Sequence, residues 1–300
     1  MGTPAFAVPT LERITAAGHQ VLGVFTQPDR PKGRGRKDAM PPVKEAALRL
    51  GLPVYQPERV RRPEVIEQLR AMTPEAMVVV GYGQIVPRAI LDIPSRGIIN
   101  VHASLLPKYR GAAPIQWAIA SGETHTGVTT MRIDEGLDTG DMLLKWETEI
   151  GPEENAVELG ARLAEAGADL LVRTLAELGN IRPEPQDDAQ ATLAPILKKE
   201  DGKIDWQRPA PEILNRIRGF EPWPGGYGFL RGQRLQIAKA ALAQQKLPPG
   251  ALRVVNHKLF AGCGGGESIE LQEVQLEGKK RMPAAAFLNG FPLRADEVLQ

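Results

Sequence analysis

The sequence predicts an α/β protein: a doubly wound domain followed by a small β-barrel domain. Three observations predict it. Apolar runs near 21–26, 52–55, 77–80 and 98–102 alternate with helical stretches, as strands joined by crossover helices do. The longest helical pattern, 155–178, ends at Gly179 and gives way to 181–199, which carries three Pro and no sustained period. Beyond it, brief alternating runs near 233–239, 250–255, 257–261 and 267–276 are separated by Gly and Pro, the signature of a small barrel. The expected organisation is therefore a first domain over 1–180, a linker over 181–199 and a second domain over 200–300.

Taken in order, Thr3 is expected to cap a helix with Pro4 in its first turn, and Gly18 to end it. Gly2-Thr3-Pro4 reads as a turn leaving a strand, yet no strand precedes it. A parallel sheet lacking an inner strand exposes two unpaired edges, so a missing first strand is expected to weaken the fold. Residues 28–37, PDRPKGRGRK, hold five basic side chains among Gly and Pro and must be solvated. They are either a plain soluble loop or an arm that grips phosphate. Helices are expected over 41–50 and 62–71. Residues 77–80 form a strand covered on both faces, running into Gly81-Tyr82-Gly83-Gln84-Ile85-Val86-Pro87. That loop is either an ordinary strand-to-helix turn or a place where backbone approaches a flat ligand.

The stretch from Ile98 to Ala120 organises the rest. Its strand ends on Asn100 and His102, whose alternation puts both side chains on one face. Ser104-Leu105-Leu106-Pro107 and Lys108-Tyr109-Arg110-Gly111 follow, and Pro114 opens a helix. Ligands of open α/β sheets sit beyond the carboxyl ends of strands. A lone His near a strand end is more often structural than catalytic. The acidic turn Asp134–Asp141 shifts that balance, since a carboxylate facing a His is the orienting partner that acid–base chemistry needs. Strands 127–133 and 142–149 are expected to pair around this turn.

Composition sets outer bounds. The net charge of +1 demands no nucleic acid by itself, although 201–300 is biased to +4 and 1–200 to −3. The lone Cys263 excludes an internal disulfide, and four scattered His show no metal-ligand spacing. No apolar run approaches the ~20 residues of a membrane span, and no signal peptide is visible. The default is a cytoplasmic protein, with a monomer assumed and neither a metal nor a membrane partner expected.

N-x-H at 100–102, SLLPxxRGxxP from Ser104, and DxGxDTGD from Asp134 together resemble the folate-dependent formyltransferases over almost the whole chain. The nearest branch acts on methionyl-tRNA. The resemblance implies a Rossmann-like first domain, normally opened by a strand running into MGTP, and an OB-like second domain. It implies 10-formyltetrahydrofolate as co-substrate and initiator methionyl-tRNA as partner, for translation initiation. Asn100, His102 and Asp138 match the catalytic trio. Ser104, Leu105, Leu106, Pro107, Gln84, Ile85, Val86 and Leu137 fall where the folate is held. Arg34, Arg36 and Lys37 of the basic arm, with Lys279 and Lys280 near the carboxyl end, fall where tRNA is contacted. A sibling enzyme acting on a small amine, or hydrolysing formyl-folate, shares the trio and stays open; the basic arm and the barrel favour tRNA.

In such chemistry an amine attacks a formamide carbon and charge grows on its oxygen, where each placed donor is worth about 3 kcal/mol. Asn100 and protonated His102 are the candidate donors, and Asp138 the group that fixes His102 and passes protons. Ser104 lies in no GxSxG elbow and reads as loop-shaping or folate-contacting.

Overall fold

The structure, a computed structural model, describes residues 1–32, 37–294 and 296–300, and for 31, 32, 37 and 38 the backbone alone. It divides into two compact units: Met1–Pro114 with Thr126–Thr148 and Gly160–Pro195, and Ile115–His125 with Glu149–Leu159 and Ile196–Gln300. Compactness thus cuts across the boundaries expected from the chain. Most of the expected linker stays with the first unit because its backbone is spent there. Glu184 exchanges hydrogen bonds with Met142 at 2.8 and 2.9 Å, and Leu193–Ala194 pairs in parallel with Arg110–Gly111.

In the first unit a four-stranded sheet runs in the order Met77–Val79, Ile98–His102, His125–Arg132, Met142–Glu149. The first pair is parallel and the second antiparallel, with His102 opposite Thr129. The two strands flanking the acidic turn are neighbours, as their spacing predicts. Val24–Phe25 pairs in parallel with Val54–Tyr55 as a separate ribbon.

Between ribbon and sheet, where an inner strand was expected to be missing, lie Met1 and Gly2. Gly2 N donates to Phe25 O at 3.0 Å, and Val80 N to Met1 O at 2.9 Å. A cavity of about 530 Å³ opens beside them, lined by Val24, Val43, Leu69, Met77 and Leu178 among others. Thr3 does not cap a helix. Its hydroxyl instead donates to Tyr82 O at 3.0 Å, and the helix Val8–Ala16 is entered through a 3-10 turn over Ala5–Ala7. Gly18 closes that helix in the left-handed region (φ 82°), as expected.

The long helix Ala156–Glu177 is fixed to the sheet at Gly167. A Cβ there would lie 2.9 Å from Val101 and 3.2 Å from Val128, so the glycine lets helix and strand touch. Leu163 and Leu171 are fully buried on the same helix, each such side chain contributing about 1.5–3 kcal/mol by burial. Together these contacts hold Ile98–His102 from behind.

In the second unit an antiparallel sheet runs Gly226–Leu230, Gln233–Ala243, Ser268–Leu276, Lys258–Gly262, Leu252–Val255, with Met282–Pro283 beside Ser268–Leu276. Its two edge strands are joined by the last residues of the chain. Gln300 exchanges bonds of 2.8 and 3.0 Å with Phe229, Leu299 N donates to Gly250 O, and Leu252 N to Glu297 O. Closing the edges in this way removes the exposed ladders that an open sheet would leave. Arg231 hydrogen-bonds Glu297 and holds its carboxyl below the usual range. The interior is apolar, built on Ile204, Leu235, Ile237, Leu259, Leu271 and Val274.

Candidate active site

Every residue of Ile98–His102 is buried, and the strand is locked on both sides by its ladders. Asn100 is 9% and His102 5% exposed, on the shared face that alternation predicts. The turn after His125–Arg132 lies over that face and delivers Asp138, whose backbone is left-handed (φ 54°). Its Oδ1 accepts from Asn100 Nδ2 at 3.3 Å, and its Oδ2 from Gly111 N at 2.9 Å. His102 Nδ1 stands 3.6 Å from Oδ2. On its far side, His102 Nε2 lies 2.9 Å from Tyr109 O. A carbonyl can only accept, so Nε2 carries hydrogen. Asn100, His102 and Asp138 are therefore brought together, with one carboxylate as the meeting point.

The loop from Ser104 to Gly111 is shaped from within. Ser104 Oγ donates to Lys108 O at 2.6 Å, and buried Thr129 donates to Ser104 O at 2.7 Å while accepting from Leu106 N at 3.1 Å. Ser104 thus spends its hydroxyl on the loop. Leu106 is buried against Met131 and Met142, whereas Leu105 and Pro107 are partly exposed. At Gly111 (φ 124°) a Cβ would meet Ala194 O at 2.6 Å, so only glycine brings its N–H to Asp138.

Among the other expected folate residues, Gln84 turns away: its amide accepts from Val60 N at 2.7 Å and donates to Pro57 O at 3.3 Å. Val86 is buried, but Ile85 is 90% and Leu137 63% exposed. Their loops approach one another, Arg88 standing 3.9 Å from Glu135. Two large apolar side chains left open on facing loops fit a flat, partly apolar ring, which covering them would favour.

Arg34 and Arg36 of the basic arm lie outside the described residues, and Lys37 is described by backbone only. Where the arm was expected as a loop, its described ends are strands: Arg30–Lys32 pairs antiparallel with Lys37–Ala39. At its base, Lys44 donates to Asp29 at 2.6 Å and Gln56 at 2.7 Å, which holds the Asp29 carboxyl below its ordinary range. In the second unit Lys279 and Lys280 lie exposed on the turn after Ser268–Leu276, while Arg281 is occupied by Glu221 and Glu273 at 2.8 and 2.6 Å.

Sequence reasoning missed three groups that shape the site: Tyr109 O, Gly111 N and the pair Arg110–Gln186. The first two are backbone atoms and leave no mark in side-chain pattern. Arg110 lies in the quoted motif, but nothing marked Gln186 inside a polar, Pro-containing stretch. Among the described residues no three His, Cys, Asp or Glu side chains gather as a metal site needs, and no helix is long and apolar enough to cross a membrane.

Comparison with known proteins adds the chemistry's context. The formyl transferase family pattern matches residues 1–175, and that of the formyl transferase C-terminal domain matches 196–292. The chain is 64% identical to the methionyl-tRNA formyltransferase of Solibacter usitatus, covering 100% of this chain and 97% of that one. It is 59% identical to the enzyme of the same name from Koribacter versatilis, covering 99% and 96%. Among solved structures it resembles an N-formyltransferase from Helicobacter canadensis in complex with folinic acid and dTDP-3-aminofucose (TM-score 0.66, 19% identity, 90% and 96% covered). It also resembles WlaRD, a sugar 3N-formyl transferase crystallised with dTDP and 5-N-formyl-THF (TM-score 0.68, 20% identity, 93% and 97% covered). At such identity the solved structures speak to the fold alone.

Proposed function

The chain belongs to the formyl transferase family, and we propose that Asn100, His102 and Asp138 are the groups through which it works. Its activity is the formylation of methionyl-tRNA, with 10-formyltetrahydrofolate as donor. The observation that carries the catalytic reading is the convergence of Asn100 Nδ2, Gly111 N and His102 Nδ1 on the single carboxylate of Asp138.

The reduced folate supplies the formyl carbon. The amine of the methionyl group forms the new C–N bond as the folate C–N bond breaks. One proton leaves the amine and one arrives on the departing nitrogen. Asn100 is the donor for the formyl oxygen: its amide has two hydrogens, and only one is needed by Asp138. In this structure His102 is not turned outward as a second oxyanion donor, because Nε2 is bonded to Tyr109 O. Its role is to sit against Asp138 and exchange the proton that the amine gives up. Asp138, fixed by the Asn100 amide and Gly111 N–H, keeps that exchange in line.

Residues 1–180 carry this chemistry, and 200–300 form the tRNA-binding domain. The segments 104–107 and 84–86, with Leu137, border the folate, the Gln84 amide and the Ser104 hydroxyl being held within the protein while Ile85 and Leu137 offer the apolar surface. Arg34, Arg36 and Lys37 grip the acceptor end of the initiator tRNA, with Lys279 and Lys280 adding phosphate contacts. The protein acts in the cytoplasm as a monomer. Mass spectrometry of methionyl-tRNA after incubation with 10-formyltetrahydrofolate tests the proposal. A formyl adduct on the charged tRNA, and none on free methionine or an amino sugar nucleotide, is expected. Equal use of a small amine would favour the sibling reading and leave the basic arm without a purpose.

A further inference from the structure

One side chain of the segment 181–195 reaches the site and has no part in the reaction described. Gln186 places its amide between the loop 104–111 and the turn of Asp138. Its Nε2 donates to Asp138 O and to Gly140 O, both at 2.8 Å, and its Oε1 accepts from Arg110 Nε at 2.9 Å. Arg110 is buried, and its Nη2 reaches Asp188 at 2.8 Å. On either side of Gln186 the segment is tied by backbone: Glu184 to Met142, and Leu193–Ala194 to Arg110–Gly111.

The chemistry of this position is restrictive. An amide can accept from a guanidinium at one end and donate two hydrogens at the other, which neither a carboxylate nor a hydroxyl can do. The carbonyls it holds belong to the residue that carries the meeting-point carboxylate and to Gly140, where a Cβ would lie 2.0 Å from Arg132 O. Asp138 itself occupies the left-handed region that L side chains rarely adopt. A turn of that shape needs holding from outside, and Gln186 does so through the backbone carbonyls of Asp138 and Gly140, while Asn100 meets the side chain.

We infer that Gln186 is a positioning residue for formyl transfer, clamping the Asp138 turn through Arg110 so that the carboxylate meets Asn100, His102 and Gly111. The inference rests on the catalytic reading of Asp138 given above. Displacements of about 1 Å at a reacting geometry cost up to about 100-fold in rate. In the full-length protein Gln186→Ala is therefore expected to lower kcat by about tenfold. The KM values for methionyl-tRNA and the folate should stay within about twofold. Because Gln186 acts through Asp138, adding Gln186→Ala to Asp138→Asn should slow the enzyme no further, whereas independent defects multiply.

Gln186→Glu keeps size and the acceptor for Arg110 but loses both donors, and it decides the matter should the alanine variant not fold. Its kcat should fall at least as far. An unchanged kcat in either folded variant, or effects that multiply with Asp138→Asn, would overturn the inference. If Asp138→Asn is slow while Gln186→Ala is not, this inference alone falls. If Asp138→Asn turns over like the parent, the catalytic reading falls with it.

Discussion

The face of Ile98–His102 and the interior of the carboxy-terminal barrel are both closed to water, and they are filled differently. Around the strand the buried residues include Asn100, His102, Ser104, Arg110, Thr129 and Thr130, and each has a hydrogen-bond partner. Inside the barrel the same depth holds Ile237, Leu259, Leu271 and Val274. Burying a polar group without a partner costs a few kcal/mol, so a satisfied polar cluster is a specification of geometry rather than a source of stability. An apolar interior is the reverse. The contrast separates a region built to place atoms from one built to stay folded.

The largest effect should come from the polar cluster. His102→Ala is expected to lower kcat by about 1000-fold in a protein that still folds, losing only about 1–3 kcal/mol of stability with its buried bond to Tyr109 O, and steady-state kinetics beside a thermal melt check both. A loss of stability matching the loss of rate would erase the contrast.

Next in size is the basic arm, assigned to tRNA rather than to chemistry. Arg34→Ala should raise KM for methionyl-tRNA by about tenfold and lower the slope of log affinity against log salt by about one. A fall in kcat at saturating tRNA, with KM and salt slope unchanged, would move Arg34 out of the binding surface.

Leu271→Ala sharpens the other side. Opening a cavity in the barrel should cost about 2–5 kcal/mol of stability, seen in denaturant unfolding, and leave kcat untouched below the melt. The smallest effect belongs to Cys263. Burial pushes its thiol up to about 12, with the Glu267 charge adding to the shift. A maleimide at pH 8 should therefore leave it unmodified until the barrel unfolds. Prompt labelling of the folded protein would mean that this interior is open.

Much of this was legible in the residues, for identifiable reasons. Alternation alone put Asn100 and His102 on one face, and an Asp-rich turn following a strand offered the carboxylate. The strands flanking that turn were readable because their apolar runs are adjacent in the chain. Contacts of high sequence separation were not. Arg110 meets Gln186 across 76 residues, and the segment that holds Gln186 has the composition of a linker. The barrel strands showed their alternation, whereas its closure depends on the short tail 297–300 pairing with Phe229 and Gly250, a register no local pattern encodes. Thr3 had the composition of a cap but found Tyr82 O as a nearer tertiary partner.

The Asp138 carboxylate is the centre of the proposed catalysis, and Asp138→Asn measures it most directly. The amide keeps the shape and one acceptor for Gly111 N but cannot exchange a proton with His102. Single-turnover formylation of methionyl-tRNA at saturating folate should slow by about 100-fold or more, with tRNA binding and the melt unchanged. A rate within about threefold of the parent would contradict the account, since acid–base groups contribute far more than that.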